Sequence, residues 1–105
     1  MSGVFRYELD LLTEANAPDG AGGFVRSFQP QTTIWAGVEY LASVNSVSGD
    51  ARVRLKRIRA LVRARSGLAI GARVRFQGAD FEIVSIESDD ERGRRLFLIC
   101  EEALS

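Results

Sequence analysis

The chain has no histidine, one cysteine, two prolines and one tryptophan in 105 residues, and its formal net charge is zero. Without histidine it lacks the commonest general base, proton shuttle and metal ligand. The lone Cys100 excludes an intrachain disulfide and a thiolate metal cage, and its place in an apolar segment points to the core. No run approaches the ~18 apolar residues of a membrane span. The opening MSGVFRYELDLL also lacks the basic head and continuous apolar stretch of a signal peptide. These absences predict a chain that is not an enzyme, takes no cofactor or metal, has no membrane partner and is made in a cytoplasm-like environment.

Two features that resemble chemistry do not supply it. Asp89, Asp90 and Glu91 form a carboxylate cluster, but Arg92, Arg94 and Arg95 screen it in a solvated loop. The glycines between Gly20 and Gly23 do not join a strand to a helix carrying a lysine, as a phosphate-cradling loop requires.

What is present is β-patterning. Val74 and Phe76 alternate with Arg73 and Arg75, Gly78 marks a reversal, and Phe81 and Ile83 alternate with Glu82. The charged run Asp89 to Arg95 then leads into Leu96 to Cys100, so a meander closes the chain. Near the start, Phe5, Tyr7, Leu9 and Leu11 alternate with Arg6, Glu8 and Asp10. Asn16 to Gly23, rich in turn-formers, breaks that strand, and Phe24 to Phe28 resumes it. Pro30 interrupts the second strand or puts it at an edge, and Thr32 to Leu41 is β-branched and aromatic enough for a long strand. Trp35, Phe76, Phe81, Ile83 and Leu98 are the predicted core, with Tyr40 also packed on the sheet.

Ala42 to Ala51 patterns poorly. Leu41, Val44 and Val47 suggest at most a short helical turn, which Ser48-Gly49-Asp50 ends. We expect Ser43, Val44, Asn45, Ser46, Val47, Ser48, Gly49 and Asp50 to form one mobile loop. The length suits one domain over 1–105.

Charge is unevenly placed despite the neutral total. Residues 1–50 hold two basic and six acidic side chains, and residues 51–105 hold twelve basic and eight acidic ones. Opposite-sign flanks suit contacts between copies or with neighbours. Seven basic residues, Arg52, Arg54, Lys56, Arg57, Arg59, Arg63 and Arg65, follow one another with no acidic residue between them. The apolar phase slips at Lys56-Arg57, which predicts a β-bulge there and a strand proper from Arg57 to Arg65. Such a stripe is a solvated strand face, a phosphate-backbone site or an assembly interface. The missing interleaved aromatics argue against base stacking, and we take the seven residues as the candidate interface.

The order Asp19-Gly20-Ala21-Gly22-Gly23, then Thr33-Ile34-Trp35-Ala36-Gly37-Val38-Glu39-Tyr40-Leu41, then a basic strand ending at Ser66-Gly67-Leu68, resembles the head-tail joining proteins of tailed bacteriophages. The continuation from Arg73 to Ile83, Asp89 to Arg94 and Leu96 to Glu101 is similar too, so the likeness spans about Phe5 to Leu104. Two departures stand out: the first strand, Tyr7-Glu8-Leu9-Asp10, is acidic where the family's is led by arginine, and Ser66 replaces a common proline.

The resemblance implies an all-β fold, a small antiparallel β-barrel with one long loop. It further implies a homo-oligomeric ring of six or twelve copies in the virion at the head-tail junction, made in the bacterial host cytoplasm. Portal, adaptor and tail proteins would be its partners, with packaged DNA nearby and no sequence-specific binding. Such head completion or stopper proteins close the filled head and offer the tail a docking surface, and gene transfer agents carry relatives. The alternatives are a tail completion or terminator protein of the same particle, and a stand-alone small-barrel nucleic-acid-binding module.

Overall fold

The period-two runs become strands, and their apolar faces enclose one core. The computed structural model describes residues 5–48, 51–89 and 92–103; it leaves out the side chains of Ala17, Arg26, Val44, Ser46, Val47, Ser48, Ala51, Arg52 and Val53. Six strands form, β1 (Tyr7–Pro18), β2 (Phe24–Ser48), β3 (Ala51–Arg63), β4 (Arg73–Phe76), β5 (Ala79–Ser88) and β6 (Arg95–Glu102). They close into an antiparallel barrel in the order β1-β2-β3-β6-β5-β4, with β4 returning to β1.

The interior is apolar throughout. Leu9, Leu11, Ile34, Ala36, Ile58, Ala60, Val62, Val74, Phe76, Phe81, Ile83, Leu98 and Cys100 fill it, and none of the described polar side chains is buried. A barrel of this size is filled by side chains rather than solvent. Burial pushes the Cys100 thiol up to about 12, so it stays protonated and inert at neutral pH.

Phe76, Phe81, Ile83 and Leu98 lie where the pattern puts them, but Trp35 does not. It is 57% exposed. Ile34 and Ala36 point inward, so Trp35 between them must point out. Space also forbids it, since Ala36 and Ala60 show how little volume the interior offers at that level. Tyr40, 56% exposed, lies at the barrel rim against Phe76 and donates its hydroxyl to the Gln77 side-chain carbonyl at 3.1 Å.

The segment expected to be a loop is strand. Val44 to Ser48 pair with Ala51 to Leu55 in an extended hairpin, and among the described residues there is no helical turn. Gly49 and Asp50 lie outside the described residues. Among the ribbon's described side chains Leu55 at the base is buried while Asn45 and Arg54 further out are exposed, so the alternation fades along it, and that weak signal made it look irregular. The phase slip at Lys56-Arg57 is real. Leu41 pairs with Arg57 and Val44 with Leu55, so Ala42 and Ser43 together oppose Lys56, and the extra residue belongs to β2. The strand itself spans Ala51–Arg63 rather than starting at Arg57.

At the other end of β2, the expected break at Asn16 shifts to the tip. β1 runs on to Pro18 and pairs through to Phe24. The reversal is closed by the Asp19 carboxylate, which accepts the Ala21 N–H at 2.7 Å and the Gly23 N–H at 3.0 Å. Those bonds, Ala21 first, hold the Asp19 carboxyl below its ordinary pKa. Pro30 opposes Leu12 at a second bulge, where a missing N–H does least harm.

β2 is therefore one strand of 25 residues that leaves the barrel at both ends. Its first part forms an arm with the end of β1, and its last part an arm with the start of β3. Straight, such a strand would span ~80 Å at about 3.3 Å per residue. The whole molecule is only 51 Å long, so β2 bends. Its bulges lie at the two arm bases.

Two outcomes follow from this packing. Phe81→Ala costs about 3–5 kcal/mol and lowers the melting temperature by more than ~10 °C. Trp35→Ala leaves the melting temperature nearly unchanged. A melt of Phe81→Ala within a degree or two of the parent would show the inner face misassigned. In the isolated chain, amides of 44–48 and 51–55 exchange faster than those of Phe81 to Ile86, because the arm is a two-stranded ribbon that extends beyond the closed barrel. Equal protection in both regions would contradict this.

Candidate assembly surface

The outer sheet follows from the inner one. On β2 and β3 the residues between the core positions face outward, and the register sets them side by side across to β6: Gly37 opposes Leu61, which opposes Phe97; Glu39 opposes Arg59, which opposes Ile99; Leu41 opposes Arg57, which opposes Glu101. Gly37 contributes no side chain, which leaves a groove of about 350 Å³ lined by Arg6, Tyr7, Val38, Glu39, Arg59, Leu61 and Phe97. One level along β2, Thr33, Ile34, Trp35, Arg63 and Arg65 line a second cleft of about 300 Å³. An apolar and aromatic strip thus runs across three strands with arginines along it.

The basic stripe does not act as one unit. Arg54 and Lys56 are exposed on the second arm; the Arg52 side chain lies outside the described residues. Arg59 pairs with Glu39 at 2.8 Å and lies over the Phe97 ring at 4.8 Å. Arg57 faces Glu101 at 3.7 Å, close enough for attraction and too far for a hydrogen bond, so its buried Nε has no hydrogen-bond partner. Arg63 lies over the Phe5 ring at 5.2 Å, and Arg65 donates to the Ser66 carbonyl. Among the described residues, Arg63 and Arg65 have no carboxylate partner. Of the described residues of the stripe on the barrel wall, the two beside Trp35 are therefore the ones whose charge no carboxylate offsets. Of the loop residues singled out earlier, Ser43 and Asn45 are exposed on the same arm as Arg54.

Sequence reading missed two parts of this surface. Trp35 counted as core, so the aromatic that stands next to the stripe went unseen; the small residues Ala36 and Ala60 were the available clue to a narrow interior. The first arm ends in Phe24, 73% exposed, and Val25, 53% exposed, beside the Asp19 turn. Nothing in a short extended segment distinguishes an exposed phenylalanine from a buried one.

The remaining ion pairs support the fold rather than a reaction. Arg75 pairs with Asp80 at 2.7 Å, a hydrogen bond that raises the pKa of Arg75 further, and Arg95 pairs with Asp89 at 2.6 Å. Among the described residues no group of acidic or thiol side chains converges as metal ligands would.

Comparison with known proteins places this barrel. No curated protein matches the chain. Among solved structures, a chain in the virion of a native gene transfer agent particle is similar, with a TM-score of 0.74 and 21% identity, covering 98% of this chain and 99% of that one. Protein SF1141 from Shigella flexneri 2a is similar with a TM-score of 0.65 and 20% identity, covering 99% of this chain and 97% of that one. At these identities the likeness establishes the shared fold. The family model for phage head completion proteins matches residues 1–103, nearly the whole sequence, and the chain belongs to that family.

Proposed function

We propose that the protein assembles as a homo-oligomeric ring at the head-tail junction of a phage or gene transfer agent particle, below the portal and adaptor. There it closes the DNA-filled head and presents the surface to which the tail docks. Family membership supports a place in the virion, and the similar chain from a gene transfer agent virion supports the same. The observation that carries the reading is the continuous β2, which gives one rigid barrel an arm at each end. A subunit between a head and a tail must bind two different neighbours at once. Each end of the barrel serves one side, while the barrel wall is left for contacts between copies.

The first arm and the second leave opposite ends because β2 enters the barrel from one and exits into the other. The β4–β5 turn, Gln77-Gly78, shares the second arm's end, and residues 64–72, Ser88 and Arg95 share the first arm's end. Both ends therefore carry a composite surface of arm and turn. The second arm holds Arg54 and Lys56 and changes course when it meets its neighbour.

A nucleic-acid module is the second reading, favoured by one observation: Trp35 stands exposed beside Arg63 and Arg65, the pairing of ring and cation that single-strand binders use. One variant tests both. Arg63→Glu with Arg65→Glu leaves the chain folded, since exposed charges contribute little to stability. On the assembly reading it yields particles with filled or leaking heads and no tails. Normal titres of infectious or transducing particles would remove the barrel wall from the junction. Salt-sensitive retention of the parent on single-stranded DNA, lost in the variant, together with those normal titres, would favour the nucleic-acid reading.

A further inference from the structure

The first arm ends in a feature that its own chain does not cover. Phe24 and Val25 are exposed at the tip, and the Asp19 carboxylate is at the surface beside them. On the barrel wall, Trp35 is exposed, Leu61 and Phe97 floor the Gly37 groove, and Arg63 and Arg65 have no carboxylate partner among the described residues. One surface is apolar with a carboxylate beside it; the other is aromatic, with Arg63 and Arg65 on one side of Trp35 and Glu8 on the other. They cannot meet within one chain, because Phe24 and Trp35 lie roughly 30 Å apart along the same extended strand.

We propose that the first arm of one copy docks edge-on on the outer face of β2, β3 and β6 of the adjacent copy, with Phe24 and Val25, which alternate across the strand, straddling the strip from Trp35 to Phe97 and Asp19 facing Arg63 and Arg65. This rests on the ring reading above and names the contact that makes the ring. The charge match selects a second copy as the occupant: a carboxylate at the tip meets two cations with no carboxylate of their own. The contact joins two different patches of one surface, which is the heterologous geometry that closes a ring when repeated by rotation. The arm begins at the Pro30 bulge, the kind of irregularity at which a strand changes direction. Trp and Arg side by side are also the residue types that dominate binding energy in interfaces. Gly37 has no positive φ, so its lack of a side chain answers no backbone need and leaves the groove open for a neighbour's side chain.

The test is disulfide trapping in assembled particles, using the whole chain with Phe24→Cys and Arg63→Cys, and separately with Val25→Cys and Arg65→Cys. Cys100 is wholly buried and does not interfere. All four replaced positions lie outside the core, so melting temperatures match the parent. On mild oxidation, at least one pair gives a ladder of covalently linked copies on a non-reducing gel, and each single substitution gives none. Dimers from Phe24→Cys alone would mean that tips meet tips and would overturn the docking. The mass of the complex released from particles separates the two levels of the argument. Several copies per complex with no ladder from either pair overturns the docking and leaves the ring standing. One copy per complex overturns the ring reading itself.

Discussion

The barrel closes through a very short seam. Asp10, Leu11 and Leu12 of β1 pair with Arg75, Val74 and Arg73 of β4, and only these three pairs convert a curled sheet into a closed one. Everything inside depends on them. Leu9, Leu11, Val74 and Phe76 approach from the two sides of this seam, and opening it would expose them together with two unpaired strand edges. The seam is reinforced where it can be. Arg75 is tied to Asp80 across the β4–β5 hairpin, and Asp10 accepts a hydrogen bond from Thr33 on the next strand. The hairpin turns through Gln77 and Gly78, both at positive φ, in the compact manner that suits strand twist.

The charge asymmetry of the sequence takes an unexpected form in three dimensions. An acidic first half and a basic second half suggest two ends of opposite sign. The barrel instead places acidic β1 and basic β3 on either side of β2, on the same wall. Glu8 pairs in register with Trp35, while Arg63 and Arg65 line the cleft on its other side. The wall is therefore bipolar across its width, and β2 is the dividing line.

The strands, their antiparallel connection and most of the core were legible because a half-buried strand writes its phase into the sequence. Phe81 and Ile83 are buried for that reason, and the bulge near Lys56 announced itself as a slipped phase. What stayed hidden was phase without amplitude. Ile34, Trp35 and Ala36 are all apolar, so only the pairing with β3 decides which one points out. The arms were hidden because a ribbon that extends beyond the core imposes a period only at its base, where Leu12 and Leu55 are buried. The division of the basic stripe was hidden because Arg57 and Arg59 find Glu101 and Glu39 through strand register, at distances in sequence that no local pattern spans. Chain-long likeness to a family reached further than local patterning for function, since a docking surface has no spacing signature of the kind a metal site has.

The continuity of β2 constrains how such a chain can vary. Residues added in pairs at either tip would lengthen one arm and leave every side chain of the barrel where it is. A single residue inserted between Thr32 and Leu41 would instead rotate the rest of the strand by half a period, sending Trp35's successors inward and the core outward unless a new bulge absorbed it. The reach of each arm can thus drift independently over generations, while the stretch that joins them tolerates substitution far better than insertion.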